Sequence, residues 1–207
     1  LTKLSNEKRL EILTAAMNLF AEKGFERTTV DEIACEASIG KGTVYLYFKN
    51  KEAIFRALIE KGLSDLEQIL TESAGHGDFG RQLHAMIYNN LKYIEINREF
   101  YRMFLKERLT VKLLSDEQSY RLIMEKHQSL FNSTAQLIQQ GIDQGYFRPG
   151  VCEDYVTAIS GVINHFAGHW ILLETSKPLT AKINTIMEII LSGIQKNPSG
   201  GAPVNGA

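Results

Sequence analysis

Between Thr29 and Lys51 the chain gathers side chains suited to a phosphodiester backbone and to base edges: Thr29, Lys41, Gly42, Thr43, Tyr45, Tyr47 and Lys51. Lys41 and Thr43 carry donors for phosphate oxygens or for the acceptor edges of bases. Gly42 permits close backbone approach. Tyr45 and Tyr47 each offer a phenol to phosphate and a ring edge to a thymine methyl, although the Tyr45 ring could instead pack inward with only its hydroxyl reaching out. Thr29 and Lys51 stand where helices should begin, so free backbone N–H groups there favour an anion.

Catalytic chemistry finds little support. Gly40-Lys41-Gly42-Thr43 lacks the spacing Gly-x-x-x-x-Gly-Lys-Ser/Thr of a phosphate loop. There is no Gly-x-Ser-x-Gly elbow and no dinucleotide fingerprint, so neither an enzyme nor a cofactor is expected. His165 and His169, at i and i+4, have the spacing to share a metal, but no third ligand follows nearby and no metal is expected. Cys35 and Cys152 are too isolated for a disulfide framework or a zinc site, which suits a reducing cytoplasm.

The elements that must position the first group are legible. Thr29-Val30-Asp31-Glu32 is a capping box, and Val30, Ile33, Ala34 and Ala37 give the brief helix behind it an apolar face. Ser38-Ile39-Gly40 supplies a sharp turn. A second helix is expected from Lys41 to Phe48, with Val44 and Phe48 inward at i and i+4. Asn50 can cap a third, running from Lys51 to about Leu70. Upstream, Leu10, Leu13, Met17 and Phe20 predict an amphipathic helix over 6–23, ended by Gly24. Phe25, Ile33, Val44, Phe48 and Phe55 are the expected plugs of a small three-helix core, the layout of a helix-turn-helix.

The run Gly40-Lys41-Gly42-Thr43-Val44-Tyr45-Leu46-Tyr47-Phe48-Lys49-Asn50-Lys51-Glu52 resembles the signature of the tetracycline-repressor (TetR) family of bacterial regulators. Thr28 to Ala34 resembles the helix that precedes it, and the likeness covers roughly residues 7 to 60. Beyond that, only length, helicity and general plan are similar. The resemblance implies an all-α fold, with a helix-turn-helix DNA-binding domain over 1–50 and a helical effector-binding and dimerisation domain over 51–196; the Gly/Pro-rich composition of 197–207 predicts a flexible tail. It implies a ligand-responsive regulator, by default a repressor, released from its operator by a small effector, and a homodimer paired through its last two long helices.

The rest of the chain reads as helix after helix. Leu83, Met86, Ile87, Leu91 and Ile94 form one stripe, and Ile123, His127, Leu130, Phe131, Leu137, Ile138 and Ile142 a long one. Breaks fall at Gly75–Gly80 and Gly145–Gly150, before two final helices at about 153–174 and 179–195. Tyr93, Phe104, Met124, His127, Phe131, His165, Phe166, His169 and Trp170 are candidate walls of a largely apolar effector cavity, with Asn90 and Asn164 among its polar groups. Ala158, Gly161 and Gly168 on one late helix, and Ile183, Ile186 and Ile190 on the other, suit an interface between two copies.

With 23 basic and 24 acidic side chains, the 207-residue chain has a net charge of −1. DNA affinity must therefore come from a few aimed contacts and from pairing rather than from a broad basic surface. One short helix reads about three or four base pairs, so a palindromic operator read by a dimer is expected. No apolar run approaches the ~18 residues of a membrane span, and LTKLSNEKRL lacks a signal-peptide core, so a cytoplasmic protein with no membrane partner is expected. The alternative reading is a DNA-bound adaptor whose helical body docks a protein partner and takes no small effector.

Overall fold

The structure, a computed structural model, describes residues 3–73, 78–107, 117–173 and 176–194. The helices are α1 (Lys3–Lys23), α2 (Val30–Glu36), α3 (Lys41–Tyr47), α4 (Lys51–Ser73), α5 (Phe79–Ile96), α6 (Arg98–Glu107), α7 (Glu117–Asp143), α8 (Cys152–Leu172) and α9 (Ile183–Ile194). Among the described residues there is no strand. Most of the loop expected at Gly75–Gly80, the Ile123 side chain and the tail over 197–207 lie outside the described residues.

The local rules behind the head hold in detail. The capping box closes in both directions: the Glu32 N–H donates to Thr29 Oγ1 at 3.3 Å, and the Thr29 N–H donates to Glu32 Oε2 at 2.8 Å. Ser38 takes the left-handed conformation, φ 53°, and so turns the chain between α2 and α3. Gly24, φ 91°, ends α1, its N–H donating to Phe20 O at 3.0 Å. Asn50 Oδ1 accepts the Ala53 N–H at 2.9 Å at the start of α4.

Phe20, Phe25 and Phe55 form the centre of the head's core, with ring centroids 5.0 to 5.8 Å apart, and Ile33, Val44 and Phe48 close it. Phe55 belongs to α4, so the first turns of that long helix are part of the head's packing. A division at residue 50 marks a helix start and not a gap in the core.

Below the head, α4 packs on α5 and α7, α7 packs on α8, and α6 packs back on α1. At the crossing of α4 and α6 the backbones come close. A Cβ on Gly62 would stand 2.1 Å from the Phe100 ring, so any larger residue there must push that ring aside. The last expected helix, 179–195, is divided: Pro178 leads into a 3-10 turn over Leu179–Lys182, anchored by buried Leu179, and α9 follows.

One expectation about the last helices is corrected. Ile186 and Ile190 are buried within the chain, so they are core and not surface for a second copy. Ile183 is half-buried, whereas Ala158 and Gly161 are exposed and Gly168 is partly so.

Candidate nucleic-acid interface and ligand cavity

Val44 on α3 and Phe48, the extended residue just after it, are buried, and the opposite side of the helix faces outward. Lys41, Gly42, Tyr45 and Leu46 are exposed, while Thr43 and Tyr47 are half-buried. Tyr45 is 48% exposed, so its ring is available at the surface and does not plug the core. Leu46, 83% exposed, projects from the same face. The sequence reading passed over it, because an aliphatic residue on a short amphipathic helix is ordinarily assigned inward.

The cations are less free than their residue types suggest. Lys41 Nζ lies 2.8 Å from Asp31 Oδ1, and this hydrogen bond pushes its ammonium up from its ordinary pKa. A phosphate meeting Lys41 must displace that carboxylate. Thr29 Oγ1 already donates to Glu32 Oε2 at 2.8 Å.

Lys51, at the start of α4, has partners inside the head. Its Nζ donates to Phe25 O at 2.8 Å and to Glu26 O at 3.3 Å, and it lies 4.3 Å from the centre of the Phe25 ring. It ties the loop after α1 to the start of α4, and since these partners are neutral its positive charge stays at that helix start. An ammonium on four methylenes reaches back to loop carbonyls as easily as out to solvent, and Phe25 O accepts the Thr28 N–H at 3.2 Å as well.

In the body, a cavity of about 390 Å³ lies among α4, α5, α6, α7 and α8. Leu63, Leu66, Leu70, Phe104, Leu130, Phe131 and Ile163 make it largely apolar. Asn90, His127, Thr134, Thr157, Ser160 and Asn164 add hydrogen-bonding groups, and Asn90 Oδ1 is buried without a partner. Burial pushes the Tyr101 phenol up, so that wall group stays neutral. Thr157, Gly161 and Asn164 are exposed, so the cavity opens beside α8.

Of the side chains expected to line a cavity, Phe104, His127, Phe131, Asn90 and Asn164 do so. The others point elsewhere. Tyr93 faces a separate recess of about 130 Å³ against α1 and α4, where its hydroxyl donates to Gly62 O at 3.0 Å. Met124 is 42% exposed, and His165 and His169 lie on the outer side of α8. Phe166 packs half-buried at the edge of the core. Trp170 donates from Nε1 to Lys177 O at 2.7 Å and lies under the Arg98 guanidinium at 4.6 Å, while Arg98 Nε and Nη2 have no hydrogen-bond partner. Thr134, Thr157 and Ser160 escaped the sequence reading, since small hydroxyls on helices look the same in a cavity wall as on a solvated face. No group of three His, Cys, Asp or Glu side chains among the described residues could hold a metal. No helix among them is long and apolar enough to cross a membrane.

Two helices join head and cavity: α4, with Phe55 in the head's core and Leu63, Leu66 and Leu70 in the cavity wall, and α6. Tyr101 and Phe104 of α6 line the cavity, and Lys106, further along the helix, donates to Ala21 O at 2.9 Å and Glu22 O at 2.7 Å at the end of α1.

Comparison with known proteins agrees with this layout. The family model of bacterial regulatory proteins of the tetR family matches residues 12–58. The uncharacterized HTH-type transcriptional regulator YfiR of Bacillus subtilis is 34% identical over 150 residues, 72% of each chain. The HTH-type transcriptional repressor KstR2 of Mycobacterium tuberculosis is 25% identical over 208 residues, covering 92% of this chain and 94% of that one. Among solved structures, the transcriptional regulator FadR from Bacillus subtilis in complex with stearoyl-CoA has a TM-score of 0.76, covering 90% of this chain and 99% of that one at 24% identity.

Proposed function

Because this chain belongs to the TetR family of bacterial regulatory proteins, we propose that it is a homodimeric repressor, released from a palindromic operator when a small, largely apolar effector fills the body cavity. The chain is a transcription regulator and not an enzyme. One observation carries the DNA half of this reading: α3, fixed from behind by buried Val44 and Phe48, turns Lys41, Gly42, Tyr45 and Leu46 outward after the tight turn at Ser38.

The effector half rests on the cavity. Its apolar walls and the unpaired Asn90 Oδ1 suit an amphipathic molecule that brings a hydrogen-bond donor to one end. The superposable Bacillus subtilis regulator is in complex with stearoyl-CoA, whose acyl chain matches the apolar walls but brings no donor of its own. An adaptor would be better served by a filled body, so the cavity weighs against that alternative.

Pairing is assigned to the outer faces of α8 and α9. Ala158, Gly161, Leu172, Ile189 and Gly193 are exposed there, and neither Gly161 nor Gly193 has an atom within 4 Å of where a Cβ would stand. Close approach of a second copy gives a reason for glycine at both places, although Gly161 also borders the cavity mouth. An effector that moves Tyr101 or Phe104 would shift α6, and through Lys106 the end of α1, which changes the spacing of the two heads. Such a protein acts in the cytoplasm.

Selection of genomic fragments by the purified protein, followed by gel shift at two salt concentrations, tests the reading. A palindromic consensus bound by dimers with a steep salt dependence is expected. Absence of enrichment over random DNA would refute it.

A further inference from the structure

We propose that Leu46 reads a thymine methyl group in each half-site, and that Gly42 lets the base edges beside it come close to the helix. The inference rests on the assignment of α3 to the DNA major groove. At 3.6 residues per turn, Leu46 stands about 200° round the helix from buried Val44, so it is the side chain that reaches furthest from the core. The deepest probe on a reading helix is therefore an aliphatic group with no donor and no acceptor. Left in water at 83% exposure, it contributes nothing to folding.

Gly42, one turn earlier on the same outward face, has nothing within 4 Å of a would-be Cβ, and its φ lies outside the left-handed range. Neither sterics nor backbone conformation within the chain calls for glycine, which costs helix stability relative to alanine by roughly 1 kcal/mol. Something outside the chain must come close. Gly42 and Leu46 together make a flat apolar strip between the Lys41 side and the Thr43 side of the helix, and the thymine C5-methyl is the one apolar group that the major groove displays. Adenine, guanine and cytosine at that position would leave Leu46 against polar edges.

Thymines of the selected operator are replaced one at a time by deoxyuridine, which lacks only the methyl, in both half-sites together. Dissociation constants are then measured for the wild type and for Leu46→Ala. One thymine should stand out: its replacement should weaken wild-type binding roughly fourfold per half-site, the value of one methyl leaving water. The same replacement should leave Leu46→Ala unaffected, while that variant keeps the wild-type response at other base pairs. As Leu46 is exposed, its truncation leaves the fold intact, which a matching thermal midpoint checks. Wild-type indifference to every deoxyuridine, an equal response in Leu46→Ala, or a half-site without thymine overturns the inference and leaves the regulator standing. A wild-type protein that selects no DNA sequence overturns both.

Discussion

Lys51 occupies the start of α4, where its ammonium would meet a phosphate, yet two loop carbonyls and the Phe25 ring hold it. Removing the charge should therefore act first on the fold. Lys51→Met is expected to lower the stability of the head by roughly 1–2 kcal/mol, through two lost charge-assisted hydrogen bonds and a cation–π contact in a half-exposed setting. The check is the denaturant midpoint, and an unchanged midpoint with weakened operator binding would return Lys51 to the phosphate role. Glu32 carries the pH response of the same region. The Lys23 ammonium, helped by the N–H and hydroxyl of Thr29, holds its carboxyl down from 4.5 to about 2. A depressed acid gives stability that is fully present above its ordinary value and lost as pH falls through the lowered one. The thermal midpoint of the wild type should drop between about pH 4.5 and 2, and Glu32→Gln should flatten that segment. Identical pH profiles for the two proteins would show that the capping box does not govern acid stability.

At the scale of elements, the contact most open to test is the crossing of α4 and α6. Gly62→Ala forces the Phe100 ring aside, since the new Cβ would stand 2.1 Å from it. The expected cost is about 1–3 kcal/mol, read as a lower melting temperature, and an unshifted midpoint would mean that Phe100 has room to swing. This crossing also shows where sequence reading reaches its limit. The helices themselves were legible, because the capping box at Thr29, the stop at Gly24 and the stripes at i, i+3 and i+4 are local signals. Which flank of a half-buried helix meets a cavity is not local. Phe131 and His127 line the cavity from α7, whereas Met124, one turn before His127 on the same helix, points to solvent. His165 and His169 share an outward side of α8, while Asn164, beside them in sequence, reaches the cavity. Ile186 failed, and the internal partners of Lys51 went unforeseen, for a related reason: a side chain's partner comes from a distant segment, and residue type alone does not say which one.

For the whole molecule, a net charge of −1 leaves little long-range attraction to DNA, and one seven-residue reading helix makes few contacts. Affinity must then come from joining two heads, so that the second half-site is met at high effective concentration, which multiplies binding by roughly 10²–10⁴. The proposed pairing face makes this testable without touching the head. Ile189 is 46% exposed on α9, so Ile189→Arg costs the single chain little, but it sets a charge against its own symmetry mate in a two-fold interface. Sedimentation should show a folded monomer, and operator affinity should fall by about a hundredfold or more while α3 is unaltered. A variant that remains dimeric at the same concentration would place the interface elsewhere. A monomer that keeps full operator affinity would show that one head suffices, and the argument from charge and contact number would then have to yield to unrecognised contacts outside α3.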